Sequence, residues 1–344
     1  MRIAILSRPG DCFPNIISQG LNHMLEQLGV DSKIFYDAIP LLMRLLPLNK
    51  KPAHWESSYH YRLRNKLMHR SPDRELLTEL KSYDLFVLSE CVPNAFWRNY
   101  LDIETFRHHV GNKPILSYLD AYLENAPLHK KMWLKADDHN ATRFDYNFCP
   151  SSVTEIRNEP NSNWSAIGIN LAVSGLQPAV KSGFTAVLDF PQEGYESYRE
   201  QQTRVLKKLG VRTIALEGRY TIQDIRKIYG EAAVFFMSFP ETFGIPIAEC
   251  FSCGTFVFTP ETSWPMSWRL NKEPLPWGHG ELPDCFAVYQ SEEDLIRQLK
   301  HIMDTYDPAK TPHAVFNTFT DYYDRFYHGD LDALRVALNR FGKI

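Results

Sequence analysis

Short apolar runs alternate with stretches of helical spacing along nearly the whole chain. Arg2-Ile-Ala-Ile-Leu-Ser7 is an apolar run that stops at Pro9-Gly10. Residues 15–28 then place Ile16, Ile17, Leu21, Met24, Leu25 and Leu28 on one helical face, and Gly29 ends the pattern. Residues 30–36, 84–89, 113–119 and 146–150 read as further strands, the last closing a first sheet. The polar, proline-bearing stretch 158–163 reads as a loop. A second series opens with Phe184-Thr-Ala-Val-Leu-Asp-Phe190. It continues with a helix over 195–209, a strand over 211–216, a helical stretch from Ile222 and a buried strand, Ala233-Val-Phe-Phe-Met-Ser-Phe239. A helix over 246–253, ended by Gly254, precedes the apolar run Thr255-Phe-Val-Phe-Thr259. A strand at 285–289, a helix over 292–303 and helical segments to Ile344 complete the chain. Strands alternating with helices in this way predict an α/β protein with parallel, doubly covered sheets. A length of 344 residues favours two domains. No internal repeat or low-complexity segment interrupts the pattern.

Composition narrows the partners more than the fold. The 44% hydrophobic fraction, with 7 Trp, 17 Tyr and 21 Phe, is ample for two packed cores. A net charge of −3 gives no overall attraction to nucleic acid. The first residues read as a strand and not a signal peptide, and no apolar run approaches the roughly 18 residues of a spanning helix. The six cysteines are scattered, so a reducing, cytoplasmic setting is expected. Cys250-Phe-Ser-Cys253 has redox or metal spacing, yet no second pair or nearby His accompanies it, and packing is the expected role.

The densest chemistry lies in Glu241-Thr-Phe-Gly-Ile-Pro-Ile-Ala-Glu249, followed by Cys250-Phe-Ser-Cys-Gly254-Thr255. It follows a buried strand and opens a helix, the position at which open α/β sheets bind ligands. Gly244 lets backbone N–H groups approach a ligand closely. This segment resembles the E-x-x-x-x-x-x-x-E signature of retaining nucleotide-sugar glycosyltransferases of the GT-B, group 1-like type. The match comprises Glu241, Phe243, Gly244, Pro246, Glu249, Cys253, Gly254 and Thr255, and Ile222-Gln-Asp-Ile-Arg-Lys-Ile-Tyr229 resembles the helix before that strand in the family.

The resemblance implies a GT-B architecture of two Rossmann-like doubly wound domains facing a central cleft. It places an acceptor domain at 1–165, a nucleotide-sugar domain at 166–320, and a last helix in 321–344 that returns to the first domain. It implies a metal-independent hexosyl- or pentosyltransferase without a cofactor, a nucleoside-diphosphate sugar being the co-substrate. Glu241 and the backbone of Phe243, Gly244 and Ile245 would address the donor sugar and phosphates, and Glu249 would accept from ribose hydroxyls. The family usually sets an Arg and a Lys after the first strand of its second domain as a diphosphate clamp. Here that loop reads Asp189-Phe-Pro-Gln-Glu-Gly-Tyr-Glu-Ser-Tyr-Arg199, so Arg199 and Arg219 become the candidate cations. In the first domain, Gly10 and Asp11 in the turn after strand one are candidate contacts to the reacting groups, and Asp120 at a strand end is a candidate acceptor-orienting or base residue. His108-His109 reads as surface, and Asp330-Leu-Asp332 as a helix cap.

The acceptor is less defined. Residues 41–74 hold Arg44, Lys50, Lys51, Arg62, Arg64, Lys66, Arg70 and Arg74 against Glu56 and Asp73, with Trp55, Tyr59 and Tyr61 interleaved. Such a patch suits an anionic partner: a lipid-linked glycan at the inner face of a membrane, or DNA carrying hydroxylated bases. A solvated helix face explains it as well. Trp264, Trp268 and Trp277 are candidates for stacking on sugars or bases, or for capping the core. A sugar-nucleotide-binding protein without turnover is the non-enzyme alternative.

Overall fold

The computed structural model describes residues 1–7, 13–36, 74–89, 103–118, 141–154, 163–241, 243–269 and 281–342. The chain divides into two compact units, Met1–Asn170 with Gly329–Ile344, and Leu171–His328. Each is α/β with one wholly parallel sheet.

In the first unit the strands are β1 (Arg2–Ser7), β2 (Asp31–Tyr36), β3 (Leu85–Ser89), β4 (Ile115–Tyr118), β5 (Tyr146–Cys149) and β6 (Trp164–Ala166), in the order β2-β1-β3-β4-β5-β6. All neighbouring pairs are parallel. The helices are α1 (Phe13–Gln27), α2 (Arg74–Leu80) and α3 (Ile103–His109). Strands β3, β4 and β5 are buried at every position, as a sheet covered on both faces requires. The first sheet does not end at 146–150: β6 adds one more parallel strand beyond it. Its three residues are half-buried, so they carry neither an apolar run nor an alternation to announce them. His108, at the end of α3, is exposed.

Chain beyond His328 rejoins this unit. Asp330 N–H donates to the Ile167 carbonyl at 2.8 Å. The Asp330 carboxylate accepts from Ala333 N–H at 2.9 Å, capping the final helix (Leu331–Leu338) as expected.

The second unit contains β7 (Thr185–Leu188), β8 (Arg212–Ala215), β9 (Val234–Phe236), β10 (Phe256–Thr259) and β11 (Phe286–Val288), ordered β11-β10-β9-β7-β8 and parallel throughout. Its helices are α4 (Glu196–Lys208), α5 (Ile222–Glu231), α6 (Ile245–Ser252), α7 (Glu292–Thr305) and α8 (Thr311–Tyr327), which makes the final helix α9. Strand β7 has β8 on one side and β9 on the other, so the winding reverses between β7 and β9.

Helix α6 is deeply enclosed for a helix: seven of its eight residues are buried. The Lys181 ammonium, itself 5% exposed, donates to the Gly230 and Cys253 carbonyls at 2.7 Å each, joining the C-terminal ends of α5 and α6. Trp268 is fully buried; its indole N–H donates to the Phe243 carbonyl at 2.5 Å, and its ring packs on Phe243, Phe251, Phe319, Tyr323 and Phe326. Trp264 is 4% exposed and packs on Tyr195 and Tyr198. Both tryptophans are therefore core residues and not a stacking platform; Trp277 lies outside the described residues. Cys250 and Cys253 are buried free thiols, and burial pushes the Cys253 thiol up to about 11.

Gly254 ends α6 at φ +73°, and a Cβ there would meet the Pro312 carbonyl oxygen at 2.3 Å. Gly254→Ala thus combines left-handed strain with a backbone clash at the start of α8. It is expected to destabilise the second unit by about 2 kcal/mol or more. Chemical unfolding followed by tryptophan fluorescence checks this; an unchanged midpoint contradicts it.

Candidate functional site at the strand ends of the second unit

Open parallel sheets bind ligands beyond the C-terminal ends of their strands, where the winding reverses. In the second unit that place is framed by the ends of β7 and β9. Asp189 follows β7; its N–H donates to the Phe236 carbonyl at 3.1 Å, holding it against β9. After β9 the chain runs through Ser238 to Glu241. Glu241 is half-buried and pinned by its backbone, which forms a parallel bridge to Pro265 and donates N–H to the Trp264 carbonyl at 3.0 Å. Gln202 supports the loop from below, donating to the Met237 carbonyl at 2.8 Å and the Tyr289 hydroxyl at 2.9 Å.

The turn into α6 is made by Gly244, at φ +74° and ψ +82°. Gly244 occupies the N-cap position without a side-chain cap, so the first N–H groups of α6 are left to be satisfied by something other than a capping residue. A Cβ at Gly244 would lie 2.9 Å from Ile247 Cδ1 and 3.1 Å from Glu241 Cβ, which is why a glycine stands there. Phe243 is fully buried and Ile245 is 8% exposed. The Phe243 carbonyl is taken by Trp268 and the Gly244 carbonyl by Ile247 N–H.

Glu249 lies on the second turn of α6 and is 3% exposed. Its Oε1 accepts from Arg226 Nε on α5 at 2.8 Å. Burial pushes the carboxyl above its ordinary value, and the neighbouring guanidinium opposes that shift. Its Oε2 has no hydrogen-bond partner among the described residues.

Arg199 reaches the same end of the sheet, but its guanidinium is committed. Nε donates to the Asp189 carbonyl at 2.9 Å, one terminal nitrogen donates to the Leu216 carbonyl at 3.1 Å, and the other lies 3.7 Å from Glu217. Arg199 thus ties the exits of β7 and β8 together. Arg219 is exposed, directly after Gly218, and no partner for it is recorded among the described residues. Gly10, Asp11, Asp120 and the basic run 41–73 lie outside the described residues.

Two groups at this place carried no assignment in the sequence. Asp189 is 2% exposed, and burial pushes its carboxyl up to about 7, opposed by the Phe190 N–H and by Arg199. The Tyr229 hydroxyl, on α5, is buried and unpartnered. Burial pushes it well above its ordinary value, and the charges of Cys250, Asp189, Glu249 and Glu241 push in the same direction. Both motif glutamates and Asp189 therefore act on one hydroxyl. A carboxylate placed immediately after a buried strand was the sequence signal for Asp189. Nothing in the residue types announced the orphan hydroxyl. Among the described residues no group of three or more His, Cys, Asp or Glu side chains is placed to hold a metal ion.

No family model matches the chain, and no curated protein matches it. Solved structures show a distant likeness. The C-terminal domain of a glycosyl transferase group 1 family protein, LpcC, from Francisella tularensis is 12% identical, covering 43% of this chain and 95% of its own, at a TM-score of 0.29. The spinosyn rhamnosyltransferase SpnG, complexed with spinosyn aglycone, is 9% identical over 98% of this chain and 100% of its own, at a TM-score of 0.43. A periplasmic ribose ABC transporter protein from Conexibacter woesei is 10% identical over 76% of this chain and 73% of its own, at 0.24. At such scores the likeness extends to neither substrate nor chemistry.

Asp189 gives this site a pH signature. The folded protein retains a proton, up to about pH 7, that the unfolded chain releases near 3.8. Stability from this group is full below the unfolded value and is lost as pH rises through the folded one, by at most about 1.4 kcal/mol per pH unit. Asp189→Asn is expected to flatten the stability profile between pH 4 and 7 and to leave the variant the more stable protein at pH 7. Parallel profiles for the two proteins contradict the assignment.

Proposed function

We propose that the chain is a retaining, GT-B-type glycosyltransferase that takes a nucleoside-diphosphate sugar as donor. One observation carries the reading: Glu241, the left-handed Gly244 and Glu249 fall together beyond the strands where the second sheet reverses its winding. That is where a parallel α/β unit receives a nucleotide. The glutamates also stand in the order and spacing of the family motif that the sequence resembles.

In this reading the uncapped start of α6, at Gly244 and Ile245, faces the donor diphosphate, whose charge favours a helix N-terminus. Glu241 addresses the donor sugar. Glu249 accepts from the ribose diol, and its Oε2 suits that role. Backbone N–H groups and cations aimed at the departing diphosphate stabilise the charge that develops there, so the mechanism does not call for a metal. Arg219 is the cation proposed for the diphosphate; Arg199, already bound to two carbonyls, is assigned to holding the strand exits. Asp11 and Asp120 remain the proposed acceptor-side groups of the first unit.

The acceptor is proposed to be a glycan or lipid-linked saccharide, approached through the basic, aromatic 41–74 segment. Among the described residues no helix is long and apolar enough to cross a membrane. The proposed setting is the cytoplasm or the inner membrane surface.

Thermal-shift measurement against a panel of sugar nucleotides identifies the donor, because a ligand at 100 times its Kd adds about 2.7 kcal/mol of apparent stability. With that donor, Glu241→Gln and Glu249→Gln are each expected to lower transfer, or slow donor hydrolysis, by about a hundredfold or more. Unchanged turnover in both removes the assigned roles, and binding without turnover in the parent protein favours a sugar-nucleotide-binding protein.

A further inference from the structure

The feature that the motif does not explain is the cation beside Glu249. Arg226 lies on α5, 23 residues earlier in the chain, and its Nε meets Oε1 at 2.8 Å. The carboxylate is 3% exposed, while the arginine side chain keeps 21% of its surface in contact with solvent. The pair is therefore asymmetric: the anion is inside and the cation reaches in from the rim. Removing such a cation leaves a buried charge without compensation, and a carboxyl in that position takes up a proton.

We propose that Arg226 is a positioning residue for nucleotide recognition: by binding Oε1 it fixes the Glu249 carboxylate so that Oε2 stays available to accept from the 2′- and 3′-hydroxyls of a bound ribonucleotide. This deepens the preceding reading and rests on it. One carboxylate oxygen serves the protein and the other serves the ligand, which is an economical use of a side chain that has few other polar neighbours. The charged and titratable groups around it are few. Arg226 and Tyr229 face it from α5, Cys250 lies on its own helix and Cys253 is the cap at that helix's end. Asp189 and Glu241 act on the same Tyr229 hydroxyl from the ends of β7 and β9. Lys181 and, from α8, Tyr327 approach Cys253. Strand β10 brings no titratable side chain. Arg226 is thus the cation in contact with the carboxylate; Lys181, the other cation nearby, is bound to the Gly230 and Cys253 carbonyls.

A ribonucleotide and its 2′-deoxy counterpart separate this role from a merely structural one. The probe is whichever of UDP, GDP, ADP or CDP stabilises the parent protein most, compared with its 2′-deoxy form by calorimetry from pH 6 to pH 9. The parent is expected to prefer the ribo form by about tenfold or more, the worth of one hydrogen bond to a charged acceptor, with little change across that range. In Arg226→Met the preference should fall toward one at the acid end of the range and recover toward its alkaline end, because burial without the guanidinium favours the protonated carboxyl. Arg226→Lys, which restores the charge, should keep the preference at every pH, and Glu249→Gln should lose it at every pH. A purely structural Arg226 would instead weaken both nucleotides alike with no recovery at high pH, and that result overturns the proposal. So does an Arg226→Met protein that keeps the parent's preference throughout. If Arg226→Met does not fold, loss of the preference in folded Arg226→Lys with no recovery toward pH 9 overturns it, and retention supports it. A parent protein that binds a nucleoside diphosphate but ignores the 2′-hydroxyl defeats this inference alone. A parent that binds none of the four defeats the functional reading beneath it.

Discussion

A helix of eight residues has almost no stability of its own in water, because so few hydrogen bonds follow its costly first turn. Helix α6 exists because its surroundings hold it at every level. Trp268 takes the Phe243 carbonyl before its first turn, Arg226 binds Glu249 near its middle, and Lys181 binds the Cys253 carbonyl at its end. Gly254 then lets the backbone of Pro312 come closer than any side chain would permit. The candidate site is assembled on this helix, so its geometry is a property of the packed unit and not of the motif.

The electrostatics of the strand ends follow from the same enclosure. Asp189 and Glu249 are both taken out of water, and both are pushed toward the neutral form. Two arginines meet them differently: Arg226 binds a carboxylate directly, whereas Arg199 binds main-chain carbonyls around Asp189 and leaves its acid poorly compensated. The difference between a carboxyl that is neutralised by a partner and one that is neutralised by a proton is what separates the two residues. An anionic ligand entering here meets two committed arginines, one committed acid and a carboxyl whose charge depends on pH.

Much of the fold was legible in the sequence, for a simple physical reason. Parallel strands are buried on both faces, so β3, β7 and β9 appear as unbroken apolar runs, and glycines such as Gly29 and Gly254 stop helices through their backbone freedom alone. The turn at Gly244 and the placement of Glu241 and Glu249 around it were likewise legible, because local spacing sets them. What failed to show were partners. Burial can be read from periodicity, but Arg226 finding Glu249, or Arg199 finding the carbonyls of Asp189 and Leu216, depends on chain segments brought together only by folding. Arg199 looked like a phosphate-binding cation because its residue type fits that task equally well. Trp264 and Trp268 looked like candidate stacking surfaces for the same reason, and their burial settles them as core. Strand β6 escaped notice because three half-buried residues leave no pattern.

The division of the chain has a consequence for biosynthesis. The second unit is one continuous stretch, while the first is completed only by residues that follow it: Arg340 lies over the Tyr146 ring and bonds Asn163, and Phe341 packs on the same tyrosine. A ribosome making this protein releases all the material for the second sheet before it supplies the last piece of the first. The domain that starts emerging earliest is therefore the one that must wait longest for its final wall, its β5–β6 edge remaining uncovered while the whole of the second unit is made.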